Sequence, residues 1–280
     1  MFTQWGLPWA IDAETQPELE VLRATPMGKG FDTPVVFVHG AFVAAWCWDV
    51  HFLGHFADRG FSCLAPSVRG HGASAGREAL QHATLEDYVT DLEHVVRDLD
   101  RPPVLVGHSM GGMIVQKYLE RNSAAAGVLM ASVPPSGLMQ SSLRLMLGDP
   151  MLFTQLTVMQ GLGPRSMDLE LARRAVFSDH VPDEELVTYA RRMQPESQRA
   201  IWDMTAGSLP RPWRVETVPM LVVGAEDDAL FTAGEIRSTA RSYGADLYME
   251  PGMAHAMMLE PGWHNVAEHI VGWLLDHGIR

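Results

Sequence analysis

The sequence predicts an α/β protein with a mostly parallel central sheet, helices on both faces and an inserted helical cap. Three observations carry that reading. Val35–Val38, Val104–Val106 and the run Pro219-Met-Leu-Val-Val-Gly224 are apolar without alternation, as strands buried on both faces are. Amphipathic helical stretches separate such runs, the pattern of crossovers between parallel strands. From about Pro134 to Glu216 strand-like runs stop and short amphipathic pieces take over. The expected division is a core of residues 1–133 and 217–280, with 134–216 inserted as a cap.

The elements follow in order. Residues 1–17 are turn-rich. Leu19–Ala24 alternates as a strand does, and Met27-Gly-Lys-Gly30 is a turn. The Val35–Val38 strand ends in His39-Gly40-Ala41-Phe42, and a helix is expected from about Trp46 to Arg59. Phe61–Ala65 is the next strand, closing in Ser67-Val-Arg-Gly-His-Gly-Ala-Ser74. Thr84 and Asp87 form a capping-box pattern, after which Leu85, Tyr88, Leu92 and Val95 fall on one helical face. Gly127–Ala131 is another strand, stopped by Pro134-Pro135. Within the predicted cap, Asp149-Pro150 and Val181-Pro-Asp-Glu-Glu185 read as helix starts. Met139, Met146, Met151, Met159, Met167, Met193 and Met204 lie there, either as core filler or as a plastic apolar wall. The strand Pro219–Gly224, a helix from Ala233 to Tyr243, a strand Ala245–Met249 and a helix from Trp263 to His277 complete the chain.

Bulk properties narrow the function. A chain of 280 residues with 47% apolar and 20% charged residues suits one large globular domain. A net charge of −13 disfavours nucleic acid and anionic membrane as partners and repels anionic substrates. The expected partner is a small neutral substrate molecule, met by a monomer or homodimer. No basic and apolar leader opens the sequence, and no apolar run reaches the roughly 18 residues of a membrane span. A cytoplasmic location is therefore expected. Cys47 and Cys63 form no CxxC and are expected as buried thiols.

The chemistry centres on Gly107-His108-Ser109-Met110-Gly111, which matches G-x-S-x-G directly after a strand and before a helical pattern. A sharp strand-to-helix turn lifts one serine hydroxyl above the sheet edge, and small flanking residues leave room for neighbouring chain. Free N–H groups at the helix start favour a developing anion there. Ser109 is thus the expected nucleophile, and it needs a base within reach. Of twelve histidines, His255 follows the last strand in a Gly/Pro loop, where active groups of open α/β sheets collect. His39 and His71 read as turn-stabilising, and the ring of His108 is expected to point away from Ser109. His51, His55, His82 and His94 read as solvated, and His264, His269 and His277 as surface. Glu226, Asp227 and Asp228 offer an acid to hold the imidazole tautomer. The oxyanion donors are expected to be the amides of Met110 and Ala41. No G-K-[ST] follows the elbow, and the histidines make no helical ligand pair flanking a glutamate. Neither a cofactor nor a metal is expected.

His39-Gly40, Arg69-Gly-His-Gly72, the Ser109 pentapeptide, Gly224-Ala-Glu-Asp-Asp228 and His255 before a final amphipathic helix together resemble the α/β-hydrolase superfamily, in its serine esterase/lipase-like branch. The resemblance runs from about Val35 to the end and implies the α/β-hydrolase fold with the chain order serine, acid, histidine. His39-Gly-Ala-Phe-Val-Ala-Ala-Trp-Cys-Trp48 is similar to the HGAxHGAWxW loop of small carboxylesterases and hydroxynitrile lyases, with Val43 where that group has histidine. For the acid, the spacing Gly224-x-x-Asp selects Asp227. The following Ala229-Leu-Phe-Thr resembles the family's acid-x-aliphatic-x-Pro turn and selects Asp228, the favoured choice. The implied function is hydrolysis of a carboxylic ester of a small-to-medium, largely apolar neutral substrate through an acyl-enzyme, with the cap shaping the pockets. Lactone, amide and carbon–carbon hydrolysis, perhydrolysis and cyanohydrin cleavage run on the same triad, and fold alone does not choose among them. Plant cyanohydrin lyases use a pocket lysine, and Lys29 and Lys117 are not placed for that. A small-molecule receptor with little turnover is the alternative from another class.

Overall fold

The structure is a computed structural model that describes residues 17–166 and 168–280. Of the turn-rich start expected over residues 1–17, all but Pro17 lies outside the described residues, as does Met167. Seven strands make one sheet: β1 (Val21–Ala24), β2 (Val35–Val38), β3 (Cys63–Pro66), β4 (Val104–His108), β5 (Ala126–Met130), β6 (Met220–Ala225) and β7 (Asp246–Glu250). Their order across the sheet is β1-β3-β2-β4-β5-β6-β7. β1 pairs antiparallel with β3, and every other neighbour pairs in parallel.

Eleven α-helices are described: α1 (Trp46–Asp49), α2 (Phe52–Asp58), α3 (Leu85–Arg97), α4 (Met110–Tyr118), α5 (Met139–Gly148), α6 (Pro150–Leu162), α7 (Leu169–Val176), α8 (Asp183–Arg192), α9 (Gln198–Trp202), α10 (Ala233–Tyr243) and α11 (Trp263–Asp276). The strands alternate cleanly between two cores, because successive side chains of a strand point to opposite faces. Val35, Phe37, Val104, Val106, Leu221 and Val223 join the core with α1, α2 and α11. Val36, Val38, Leu105, Leu129 and Val222 join the other, with α3, α4 and α10. Phe37 is fully buried with ring contacts to Trp48, Phe52 and Phe56, and a side chain of that size stabilises the fold by about 2–3 kcal/mol through burial alone.

The helix expected from Trp46 to Arg59 is instead two helices. His51 leaves the helical region at φ −140° between them and stacks on Trp263 of α11 at 4.6 Å with the planes 4° apart. That stacking, with the His55 ring 5.4 Å from the same indole, explains why His51 and His55 are half-buried where the sequence suggested solvated residues. His94 is half-buried as well, while His82, His264, His269 and His277 are exposed. His55 Nε2 lies 2.8 Å from Glu268. With His264 these groups bring three potential ligand atoms within 4.8 Å of one another, a grouping that sequence spacing did not foretell; the Arg59 guanidinium already engages the Glu268 carboxylate.

The Thr84–Asp87 capping box forms as its spacing predicts, and Thr232 with Glu235 makes a second at the start of α10. Asp149 caps α6 by accepting from the Leu152 amide, with Pro150 in the first turn. Between β5 and β6 the described residues carry α5 to α9 and no strand. Both cysteines are free and buried. Among the described residues no helix is long and apolar enough to cross a membrane.

Candidate active site

Ser109 stands between β4 and α4 at φ 53°, ψ −115°, a region that costs a non-glycine residue about 1–3 kcal/mol and persists only where the surroundings impose it. They do so through the backbone. The Ser109 amide donates to the Met130 carbonyl of β5 at 3.1 Å, and the Ser109 carbonyl accepts from Gly112 and Val133. The flanking glycines are required by close approach. A Cβ on Gly107 would lie 2.4 Å from the Gly111 carbonyl oxygen, and one on Gly111 would lie 2.2 Å from that of Val38. The pentapeptide is therefore written by steric necessity on both sides of the serine.

His255 sits in the loop between β7 and α11 and is 4% exposed. Its Nδ1 lies 2.8 Å from Asp228 Oδ2. The other Asp228 oxygen accepts from the Leu230 and Phe231 amides at 2.8 and 3.1 Å. A carboxylate with all its contacts as acceptor obliges the imidazole to carry its proton on Nδ1, leaving Nε2 with a lone pair. The adjacent Asp227 is exposed, and among the described residues only its backbone is engaged, by the Met253 carbonyl. Of the three acids the sequence offered, the structure thus brings Asp228 against the imidazole, with Glu226 and Asp227 exposed.

Ser109 and His255 both line one cavity of about 440 Å³, together with Ala41, Met110, Val133 and Phe231. Its walls come largely from the segment between β5 and β6: Leu138, Leu145, Phe153, Leu156, Met159 and Met204 among them. Met159, Met193 and Met204 face this cavity, whereas Met139, Met146 and Met151 are exposed on the outside; the methionine-rich stretch thus serves two surfaces. Cys47 also lines the cavity, its thiol pushed far up by burial. Neither lysine lines it. A second, larger and more polar groove of about 980 Å³ runs past Lys117, Arg144 and Trp213 and touches none of Ser109, Asp228 and His255.

The loop after β2 faces the serine. Among the described residues, neither the Ala41 nor the Met110 amide has a hydrogen-bond acceptor, and the first amides of a helix are free in this way. His39 fixes the Gly40–Ala41 peptide: its Nε2 accepts from the Val68 amide at 3.1 Å, so Nδ1 holds the proton and donates to the Gly40 carbonyl at 2.8 Å. Burial, aided by the nearby His71 charge, lowers the His39 pKa to about 3, which keeps that tautomer neutral. A trans peptide points its N–H opposite its C=O, so the same bond orients the Ala41 N–H.

His108 packs against the imidazole: it is among the residues that line the cavity, its ring lies 4.8 Å from the His255 ring, and its Nε2 donates to the His255 carbonyl at 2.9 Å. Burial and the neighbouring His255 hold its pKa well below the usual value. Sequence reasoning missed this contact because it joins residues distant along the chain. It also missed Glu196, completely enclosed between α8 and α9, which accepts from His71, Tyr88, Phe42 and Ser197. No local motif marks that residue; only the fold brings it under the loop.

Comparisons with known proteins bear on the fold and the family. The model of the alpha/beta hydrolase family matches residues 35–268. A non-heme chloroperoxidase of Burkholderia pyrrocinia is 36% identical over 108 residues, covering 36% of this chain and 38% of that protein's own length. A monoacylglycerol lipase of Mycolicibacterium smegmatis is 25% identical over 87% of this chain and 88% of its own. A solved thermophilic esterase from Thermogutta terrifontis superposes with a TM-score of 0.73 at 20% identity, covering 93% of this chain and 94% of its own. Sheet order, the strained serine between strand and helix, and a matched family model spanning most of the sequence lead to one conclusion: the chain belongs to the alpha/beta hydrolase family.

Proposed function

We propose that this protein is a carboxylesterase-like serine hydrolase that cleaves carboxylic esters of small-to-medium, largely apolar neutral molecules, with residues 134–216 acting as a cap over the site. The single observation that carries the reading is the buried Asp228–His255 pair at 2.8 Å opening onto the same cavity as Ser109. In this reading His255 Nε2 takes the Ser109 proton as Oγ attacks the ester carbonyl, and Asp228 stabilises the imidazolium that results. The carbonyl oxygen becomes an oxyanion held by the Ala41 and Met110 amides. Collapse expels the alcohol, which receives the proton from His255. Water, deprotonated by the same ring, then releases the acid and regenerates Ser109. The apolar cavity supports a neutral substrate, and about 440 Å³ falls within the range that encloses a drug-sized molecule.

The test is a p-nitrophenyl ester series from acetate to long acyl chains, with Ser109→Ala as control. Turnover with a loss of at least about 10³-fold in the variant is expected. A Ser109→Ala protein that keeps most of its ester turnover overturns the mechanism, and a single burst without turnover favours a ligand-binding role.

A further inference from the structure

The loop that carries Ala41 is held from an unexpected direction. Phe42 adopts φ 65°, the left-handed region that a bulky side chain enters only under constraint. Both of its backbone polar groups are engaged by residues of the segment between β5 and β6. Its amide donates to Glu196 Oε2 at 3.3 Å, and its carbonyl accepts from the Gln194 amide at 2.9 Å. Ala41 therefore lies between two pinned peptide planes: His39 fixes the one before it through the Gly40 carbonyl, and Glu196 fixes the one after it through the Phe42 amide.

The Glu196 carboxylate is completely enclosed and fully used. Oε2 accepts from His71 Nε2 at 3.0 Å as well as from Phe42, and Oε1 accepts from the Tyr88 hydroxyl and the Ser197 amide, both at 2.7 Å. His71 also meets the Arg69 carbonyl at 3.1 Å through Nδ1. Both ring nitrogens thus face acceptors, so both carry protons and the ring is the cation that balances the carboxylate. Gln194 reinforces the same junction: its side chain accepts from the Gly72 amide at 2.8 Å and donates to the Gly70 carbonyl at 3.1 Å. A buried charge is costly unless paired and hydrogen-bonded, and a hydrophobic side chain would fill this space without that cost. The arrangement gains direction: a charged acceptor aimed at one strained amide.

We propose that Glu196, carried on the inserted segment, is a positioning residue that sets the peptide planes around Ala41 and so aims the Ala41 N–H at the oxyanion. This rests on the hydrolase reading given above. The inserted segment then contributes to the chemical step as well as to the shape of the pocket.

Glu196→Gln keeps the shape but removes the charge that aims at the Phe42 amide, and its NH₂ meets either the two donors at Oε2, His71 and the Phe42 amide, or the Ser197 amide at Oε1. Glu196→Ala removes all of these contacts. With p-nitrophenyl acetate, and with active sites counted by exhaustive phosphonate labelling, kcat is expected to fall about tenfold in the first variant and about 10²-fold in the second, with KM within about threefold. The ceiling is the 10²–10³-fold loss of a whole oxyanion donor. A trifluoromethyl ketone, which closes to a tetrahedral adduct on the serine, should weaken by the same factor, while the matching methyl ketone, which stays trigonal, should not. Tyr88→Phe removes a different contact to the same carboxylate; it should lower the melting temperature and leave kcat per labelled site within about twofold. A merely structural role would reduce the labelled fraction and the melting temperature in all three variants, with kcat per site and trifluoromethyl ketone affinity unchanged. That result overturns the inference, as does an equal kcat loss in Tyr88→Phe. If Ser109→Ala retains turnover, the hydrolase reading itself falls; loss at Ser109 with wild-type kcat per site in both Glu196 variants defeats this inference alone.

Discussion

Replacing Asp228 by asparagine isolates the acid's role with little change of shape. The carboxylate has no solvent exposure, and its Oδ1 is held by two backbone amides. An asparagine oxygen keeps those two contacts, which forces its NH₂ toward His255. There a donor meets the protonated Nδ1, and an unrelieved mismatch of that kind costs about 1–3 kcal/mol. The imidazole escapes by moving its proton to Nε2. The nitrogen that should take the Ser109 proton is then already protonated. We expect kcat for p-nitrophenyl acetate to fall about 10⁴-fold, the loss this substitution produces in Ser–His–Asp enzymes, equivalent to about 5.4 kcal/mol in barrier height at 1.36 kcal/mol per decade. Stability should change little, because tautomer exchange relieves the mismatch. Asp227→Asn, at an exposed side chain, should stay within about twofold of the parent. An Asp228→Asn protein within tenfold of wild type, or equal losses in both variants, refutes the reasoning.

Gly111→Ala places a Cβ 2.2 Å from the Val38 carbonyl oxygen, a backbone atom; it should destabilise by roughly 3 kcal/mol or more and lower the melting temperature by at least about 6 °C in a thermal scan. The His71–Glu196 pair should make stability depend on pH in two directions. Burial alone lowers the His71 pKa, but attraction and a hydrogen bond from Glu196 outweigh it and hold it above 6.5, so its contribution is complete below that value and lost as pH rises through the raised one. Burial raises the Glu196 pKa, but His71 outweighs it and holds it below 4.5, so that contribution is complete above 4.5 and lost as pH falls further. Melting curves of wild type against His71→Gln should differ most between those limits; a pH-independent difference contradicts the charged pair. Burial raises both thiols, Cys63 to about 12, so a thiol-titrating disulfide reagent at pH 8 should find neither in the native protein and both in denaturant. Leu145→Phe adds bulk to the wall of the cavity that holds Ser109; kcat/KM for long-chain esters relative to acetate should fall about tenfold, the scale of a few misplaced methylenes.

Much of this site was legible in sequence, for identifiable reasons. Ser109 could be read because strand, crowded turn and helix leave marks on adjacent residues, down to the glycines that no side chain can replace. Asp228 and His255 could be read because open parallel sheets collect functional groups at strand ends. The choice between Asp227 and Asp228 needed the turn itself: two amides, from Leu230 and Phe231, draw one carboxylate inward and leave its neighbour exposed. The break at His51 was hidden because helical periodicity continues through it, and only the stacking partner Trp263, far along the chain, shows why it occurs. Glu196 was invisible for the same reason. Its partners Phe42, His71 and Tyr88 are scattered over the core, and no spacing rule connects them to the inserted segment.

β5 and β6 are parallel neighbours in the sheet, so the long excursion leaves the carboxyl end of one and returns to the amino end of the other, one strand spacing of about 4.8 Å across and roughly 10 Å back along the strand direction. An excursion that starts and ends outside both strands is modular. It could be lengthened, shortened or exchanged for that of a relative without shifting the register of any strand. A graft would nonetheless carry one obligation. On the positioning role proposed for Glu196, whatever replaces it must bring back an acceptor for the Phe42 amide, or the loop before it is left to relax.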